Sequence, residues 1–341
     1  MFYNTGYTFI FYGTLMNLLA RILLILLVFS CFSAASLAEE TQHKGINPTN
    51  RIAYDEAVML LDSWGGEPSV LYAAKVKLEG ILRVAPDFAP AHRQLARYHI
   101  LTGFIDGTRY EPSALAAAEG SLDEALRLDS ESAETHVVAG NLYFLQNRLA
   151  DAAAALAKAK EIGTDDPWLA IHTADVLIAQ DQHAEAAVLY QSVVDSGTDN
   201  ARAVSLAMDG LILYYHGLGQ YQTVESIYLQ QIANRPEAAW AYGNYGGFLL
   251  CTKDDAEAAI AHFRLALGLT QYDIARNGLA AALYRQSVMV EGNQRENADE
   301  LIAEARSLRE GTSAQVVTEF CGGGPAVVAM QNAETHSPQP E

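Results

Sequence analysis

The sequence predicts an all-α solenoid of about six to seven stacked helical hairpins, and three features of its 341 residues carry this reading. Ala118, Leu122 and Ala125 recur 34 residues later as Ala152, Leu156 and Ala159, and after 34 more as Ala186, Tyr190 and Val193. A fixed period of that length marks a helix–turn–helix unit that cannot bury its own apolar face and stacks on copies of itself. Half of the residues are hydrophobic, enough for an extended core. Alanine is concentrated in the middle of the chain, where it favours helix and allows close helix–helix contact.

The formal net charge is −19. The first 38 residues hold one Arg and no acid, so a chain cut after residue 38 stands near −20, with 21 basic against 41 acidic side chains. Phosphate recognition needs a basic face, so this balance argues against nucleic acid as a partner. Solubility accounts for the charge, with an acidic docking surface as the alternative.

The amino terminus reads as a signal peptide spanning residues 1–38. Arg21 is followed by an apolar run from Ile22 to Phe29, then by small residues ending Ser36-Leu37-Ala38 ahead of Glu39-Glu40. Cleavage is expected after Ala38, with export to the periplasm or envelope. No basic residue precedes Met16, which makes Met16 the expected start. Two alternatives stay open. An uncleaved anchor is one, because Leu15 to Ala35 approaches the roughly 20 apolar residues that a bilayer span needs. A lipid-modified Cys31 is the other, although Val28-Phe29-Ser30-Cys31 puts a bulky Phe where bacterial lipoprotein boxes take a small residue. After cleavage only Cys251 and Cys321 remain. Two unpaired thiols, with Cys251 partly buried, is the favoured reading, and a single bridge tying the tail to the repeats is the other.

Residues 39–50 carry no periodicity and read as a flexible lead-in. From Arg51 the pattern turns helical, with Ala53, Ala57, Leu60 and Leu61 on one face, and Gly65-Gly66 ends that helix. A second helix runs from Pro68 to Val84, with Ala74, Leu78, Ile81 and Leu82 apolar and Pro86 as its stop signal.

That second helix carries a small residue, a large one four later, an apolar one three beyond and Pro after five more. It resembles the second helix of a tetratricopeptide repeat (TPR), a family of helical-hairpin repeats. His136, Ala139, Gly140 and Tyr143 resemble the family's first helix, as do Ala170, Thr173, Ala174 and Leu177 with Asp181 and His183 in the following turn. Gly219-Gln220-Tyr221 gives the best turn match, with Val224, Tyr228 and Pro236 in register behind it. Ala259, Phe263, Ala266 and then Ala298, Ile302, Ala305 repeat the second-helix signature. Second helices counted by their opening residue are Ala74, Ala118, Ala152, Ala186, Val224, Ala259 and Ala298, spaced by 44, 34, 34, 38, 35 and 39. The resemblance implies a right-handed TPR superhelix over residues 51–310. Residues 311–341 then form a carboxy-terminal cap, from Thr312 to Phe320, and a disordered tail after Cys321-Gly-Gly-Gly-Pro.

The period breaks in three places. An insertion at Gly103 to Pro112 carries Phe104, Ile105 and Tyr110, and is expected to pack on the stack, with a reach toward a ligand as the alternative. Shorter insertions surround Tyr214-Tyr215-His216-Gly217 and Val290 to Asn297.

No catalytic constellation stands out, so the expectation is a chain that is not an enzyme and needs no cofactor or metal. The nine His residues form no Cys/His cluster and no His-Glu-x-x-His arrangement. His92 and His99 lie seven apart on one helical face, but His92 and His136 hold the family's bulky position, so packing is favoured over metal ligation. The Gly-rich stretches Gly243 to Gly247 and Gly322 to Gly324 neither follow a strand nor open a nucleotide-type βαβ unit.

In the TPR family the first helices line a groove that holds an extended peptide or a partner helix. Carrying that phase across gives Arg93, Arg97, Asn141, Trp168, Asp175, Asp209, Asn244, Tyr245 and Phe248 as groove candidates. Packing between adjacent helices is the alternative for each. Tyr and Trp make good anchors because they bury much area at modest entropic cost. Asn141 sits where many such grooves use Asn to hold a peptide backbone. The chaperone-binding subclass clamps a terminal carboxylate with paired Lys and Arg; Val137, Ile171 and Ser205 stand at the corresponding places, so that clamp is not expected. Within Trp240 to Cys251, the core Asn-Tyr-Gly-x-Phe-Leu is similar to one repeat of outer-membrane lipoproteins that help assemble type IV pili, although small residues for close packing explain it as well.

The expected function is a non-enzymatic protein-binding scaffold of the cell envelope that recognises a peptide or partner helix of unknown identity. A membrane-attached assembly factor for a pilus or secretion machine is one alternative. An enzyme with a site in the 103–112 loop or the carboxy-terminal tail is another. Specificity is expected where the period breaks, in that loop and along the aromatic run from Tyr214 to Phe248.

Overall fold

Proline and short polar caps start the helices, and left-handed turns join them in pairs. In a computed structural model the described residues are 46–64, 68–106, 109–290, 295–313, 315–328 and 330. The leader with its Ala38 cleavage point, Met16 and Cys31, the lead-in before residue 46, Gly65-Gly66, the centre of the Val290–Asn297 insertion and the expected disordered tail lie outside the described residues.

Fifteen helices are described: α1 (Pro48–Ser63), α2 (Pro68–Val84), α3 (Ala89–Gly103), α4 (Pro112–Leu128), α5 (Ala133–Leu145), α6 (Leu149–Ile162), α7 (Pro167–Ala179), α8 (His183–Asp195), α9 (Ala201–Gly217), α10 (Tyr221–Asn234), α11 (Ala239–Cys251), α12 (Ala256–Leu269), α13 (Asp273–Met289), α14 (Arg295–Leu308) and α15 (Gln315–Cys321). Asn47, Ser132, Asp166 and Asp255 cap α1, α5, α7 and α12, each accepting a hydrogen bond from a backbone N–H of the first turn. Inside four successive hairpins one residue takes a positive φ: Asn147, Asp181, Gly219 and Asp254, at 62, 60, 70 and 56°. Asn, Asp and Gly tolerate this conformation best, and the reversed chain then satisfies the last carbonyls of the preceding helix. Thus the N–H groups of Arg148, Gln182 and Gln220 donate to the carbonyls of Tyr143, Leu177 and Tyr215.

The second hairpin has no such turn. Its insertion folds as an antiparallel ladder of β1 (Phe104–Asp106) and β2 (Arg109–Tyr110), pairing Phe104 with Tyr110 and Asp106 with Arg109. The Glu111 N–H donates to the Gly103 carbonyl at 2.8 Å and closes its neck. The all-α expectation holds, and this short ladder is the one strand pairing among the described residues. Ten inserted residues are too many for a one-residue left-handed turn, and a β-ladder is the cheapest way to pair their backbone groups.

The chain divides into two compact units, one running to Gln182 with Asp199–Arg202, the other holding His183–Thr198 and everything from Ala203 on. In the first, each helix packs on the next from α1 to α7, and odd helices also touch: α1 on α3, α3 on α5, α5 on α7. In the second, α10 to α14 pack in sequence, α11 also touches α13, and α15 lies on both. Odd helices therefore form a wall within each unit.

The periodic positions are the core. Ala118, Leu122 and Ala125 are fully buried, as are Ala74, Leu78, Ala152, Ala159, Ala259, Phe263 and Ala266. Gln231 is the polar exception at an otherwise apolar repeat position. Close approach explains two glycines: a Cβ on Gly140 would overlap the Leu156 side chain, and one on Gly278 would overlap the rings of Phe263 and Phe320.

The favoured reading of two unpaired thiols is corrected. Cys251 and Cys321 form a disulfide with Cα atoms 5.3 Å apart. Docking of α15 brings them together, with Phe320 edge-on to Phe263 at 5.7 Å. No helix of the described residues is long and apolar enough to cross a membrane.

Candidate functional site

Within the first unit, the end of α1, the middle of α3, the start of α7, strand β2 and the first turn of α9 bring charged and aromatic side chains to one place. Asp166 caps α7 and Pro167 fixes its first residue, so Trp168 sits on the opening turn with His172 four residues on. The two rings stack at 5.6 Å, and His172 Nδ1 lies 3.3 Å from Asp175 Oδ2. Trp64 follows α1 with extended backbone. The Arg202 guanidinium lies over both indoles, 5.5 Å from the Trp64 centroid and 5.7 Å from that of Trp168. Arg202 Nη1 donates to the Leu61 carbonyl at 3.2 Å. Asp62, the nearby carboxylate, is engaged by Arg97, whose Nη2 lies 2.5 Å from Asp62 Oδ1 and whose Nη1 donates to Gln94 Oε1 at 2.8 Å.

The electrostatics follow from crowding. Burial pushes the Arg202 pKa down and the Arg97 cation adds to this, against the pull of Asp62 and Tyr110. Burial also raises the Asp166 carboxyl, opposed by its bond from the Trp168 N–H and by Arg97, Arg93 and His172. Tyr110 is raised by burial, with Arg202 and Asp175 pulling in opposite directions. The Nε1–H groups of Trp64 and Trp168 are enclosed and meet no acceptor among the described residues. Asp62, Asp166 and Asp175 supply the carboxylates here and are engaged by Arg97, the Trp168 N–H and His172.

Of the groove candidates, the structure gathers Arg97, Trp168 and Asp175 here. Arg93 is a packing side chain, 4 % exposed, donating to the Tyr54 hydroxyl at 2.9 Å and to Ser132 Oγ at 3.2 Å. It ties α1, α3 and the cap of α5 together. Asn141 is half-buried on α5. The second unit holds the others separately. Asp209 is half-buried and accepts from Gln231 Nε2 at 2.8 Å, while Asn244 is exposed. Tyr245 and Phe248 are buried, with ring centroids 5.8 and 5.4 Å from Tyr228 between α10 and α11. The Tyr245 hydroxyl donates to Glu225 Oε1 at 2.9 Å, and Glu225 pairs with Lys253 at 3.1 Å. The Tyr228 and Tyr245 hydroxyls are each pushed up to about 12, chiefly by burial.

Sequence reasoning missed Asp62, Trp64, Tyr110 as a wall residue, His172 and Arg202. Asp62, Trp64 and Arg202 stand at helix ends, outside the positions that a repeat phase transfers. The available signal was a bulky Trp just before Gly65-Gly66 and a cation just after the break at Gly197–Asn200. His92 and His136, 44 residues apart, do the same local job: each Nε2 meets a carbonyl six residues back, of Pro86 at 2.8 Å and Ser130 at 2.9 Å. Among the described residues no group of three His, Cys, Asp or Glu side chains is placed to hold a metal ion.

No family model matches the sequence, and no curated protein matches it. Solved structures do. A chain of the APC/C Cut9–Hcn1 hetero-tetramer superposes with a TM-score of 0.50 at 16% identity, covering 69% of this chain and 46% of that one. An IFIT1 monomeric mutant with m7Gppp-AAAA gives 0.53 at 12% identity, covering 83% and 62%. Pseudomonas aeruginosa pilF gives 0.49 at 14% identity, covering 69% and 96%. The chain therefore spans about half the length of the first and three-fifths of the second. At such identities the first two likenesses speak to the fold alone.

Proposed function

We propose that this chain, which has the tetratricopeptide-repeat fold, is a non-enzymatic protein-binding scaffold of the cell envelope. It holds a peptide or partner helix along the odd helices of its first unit. The observation that carries this is the half-buried cluster of Trp64, Trp168 and Arg202, because Trp and Arg are enriched among the residues that carry binding energy at protein interfaces. Export is supported by the leader pattern and by the Cys251–Cys321 bond, which suits an oxidising compartment.

Cross-linked capture from the native cell, comparing wild type with Trp168→Ala and Val188→Ala, tests the binding surface. Val188 is 68 % exposed on α8 and serves as the control. The wild type and Val188→Ala should retain a common partner that Trp168→Ala loses; identical partners in all three contradict the proposal. An amino-terminal mass beginning at Glu39 in the periplasmic fraction is expected. Retention of the intact leader contradicts cleavage.

A further inference from the structure

We propose that the Arg202 cluster reads a carboxylate in the bound peptide, an Asp or Glu side chain with a bulky apolar residue beside it. This rests on the scaffold reading above and names the chemistry its partner must present. Three observations converge.

The first is the balance of donors and acceptors. A guanidinium carries five N–H donors, an indole one, and neither accepts. Arg202 gives one hydrogen bond to the Leu61 carbonyl. The Trp64 and Trp168 N–H groups meet no acceptor among the described residues, and Asp62 is occupied by Arg97. The indole N–H groups are enclosed, so an incoming group that only accepts would meet the remaining Arg202 donors.

The second is shape. Both indole faces lie beneath the Arg202 guanidinium and restrict its plane, which cuts the entropy lost when its free edge takes a second partner. A planar edge of paired N–H groups matches a carboxylate in bidentate fashion. Local charge agrees. Arg97 engages Asp62, Asp166 caps α7 and Asp175 pairs with His172, which leaves the Arg202 guanidinium as a cationic spot on a chain of net charge −19. That overall charge repels a polyanion while the spot attracts one isolated acid.

The third is the neighbouring apolar surface. Tyr110 lies near Arg202, and its ring meets Phe104 at 5.6 Å. Phe104 and Ile105 are 44 and 48 % exposed on the β-ladder. An apolar residue next to the acid would cover them.

The test uses the mature full chain and three decapeptide libraries with identical randomised flanks and a fixed central Asp, Asn or phosphoserine. Fluorescence anisotropy reads affinity. The Asp library should bind wild type about tenfold more tightly than the Asn library, the ratio equivalent to about 1.4 kcal/mol. Arg202→Gln should erase that ratio while keeping the Asn-level binding, and Arg202→Lys should restore only part of it. Equal affinity for Asp and Asn overturns the inference and leaves the scaffold reading standing. Tighter binding of the phosphoserine library overturns the carboxylate assignment. No binding of any library to wild type removes the scaffold reading for this wall and the inference with it. Should Arg202→Gln fail to fold, Arg202→Lys decides: a full Asp preference in that variant overturns the role of the planar edge.

Discussion

Cys251, the last residue of α11, is bonded to Cys321, the last residue of α15, across a sequence separation of 70. The bond closes a loop around α12, α13 and α14 and fixes α15, whose Val316 and Val317 are buried. Removing closure of a loop that long costs about 4 kcal/mol in the chain-entropy model. Cys321→Ser should therefore lower the urea midpoint of the second unit strongly, and reduction of the wild type should match it. An unchanged midpoint contradicts the staple.

Glycine spacing gives a paired prediction. Gly278→Ala puts a methyl into the rings of Phe263 and Phe320, an overpacking that costs about 1–3 kcal/mol. Gly80→Ala in α2 meets nothing within 4 Å, so better helix propensity should dominate and stabilise by about 0.5–1 kcal/mol. Thermal unfolding of the two variants should move in opposite directions.

Asp209 makes stability depend on pH. Burial raises its pKa from 3.8, only partly offset by the hydrogen bond from Gln231. A carboxyl raised in the folded state contributes stability fully present below 3.8 and lost as pH rises through the folded value. Asp209→Asn keeps an acceptor for Gln231 and removes the titration. Its stability relative to wild type should grow as pH is raised from the acid side toward neutrality; a constant difference across that range contradicts the assignment.

Arg285 and Asp254 form a two-pronged pair, Nε to Oδ1 at 2.8 Å and Nη2 to Oδ2 at 2.7 Å, with Arg285 only 8 % exposed at its side chain. Asp254→Ala strands a nearly buried cation and should cost about 3 kcal/mol. Asp254 also holds a left-handed turn at φ 56°, so Asp254→Asn, which tolerates that backbone, should cost less. Equal losses in a denaturant series would mean that the charge and not the turn is what matters.

What could be read in the sequence is what depends on helical period. Ala118, Leu122 and Ala125 announce a buried stripe because residues three and four apart share a face, and the hairpin turns at Asp181 and Gly219 stand where the repeat places them. Contacts between helix ends are different. Leu61 and Arg202 are 141 residues apart, and nothing in a 34-residue repeat says which ends meet. The same holds for Cys251 with Cys321. Tyr245 and Phe248 stand at the groove phase yet are buried against Tyr228 between α10 and α11, because an aromatic at that phase also serves as packing. The insertion at Gly103–Pro112 was visible as a break, yet its ladder was not, since two-residue strands carry no periodicity.

In the function proposed above, Trp64, Trp168 and Arg202 form the contact surface for an acidic peptide segment. The chain has three tryptophans, so a Trp240→Phe background leaves emission from Trp64 and Trp168 alone. Titration of that protein with the Asp-centred decapeptide library should change its tryptophan emission saturably, at the affinity found by anisotropy, and Arg202→Gln should weaken the response about tenfold. Peptide binding seen by anisotropy with no change in Trp64 and Trp168 emission would place the contact elsewhere and contradict the claim.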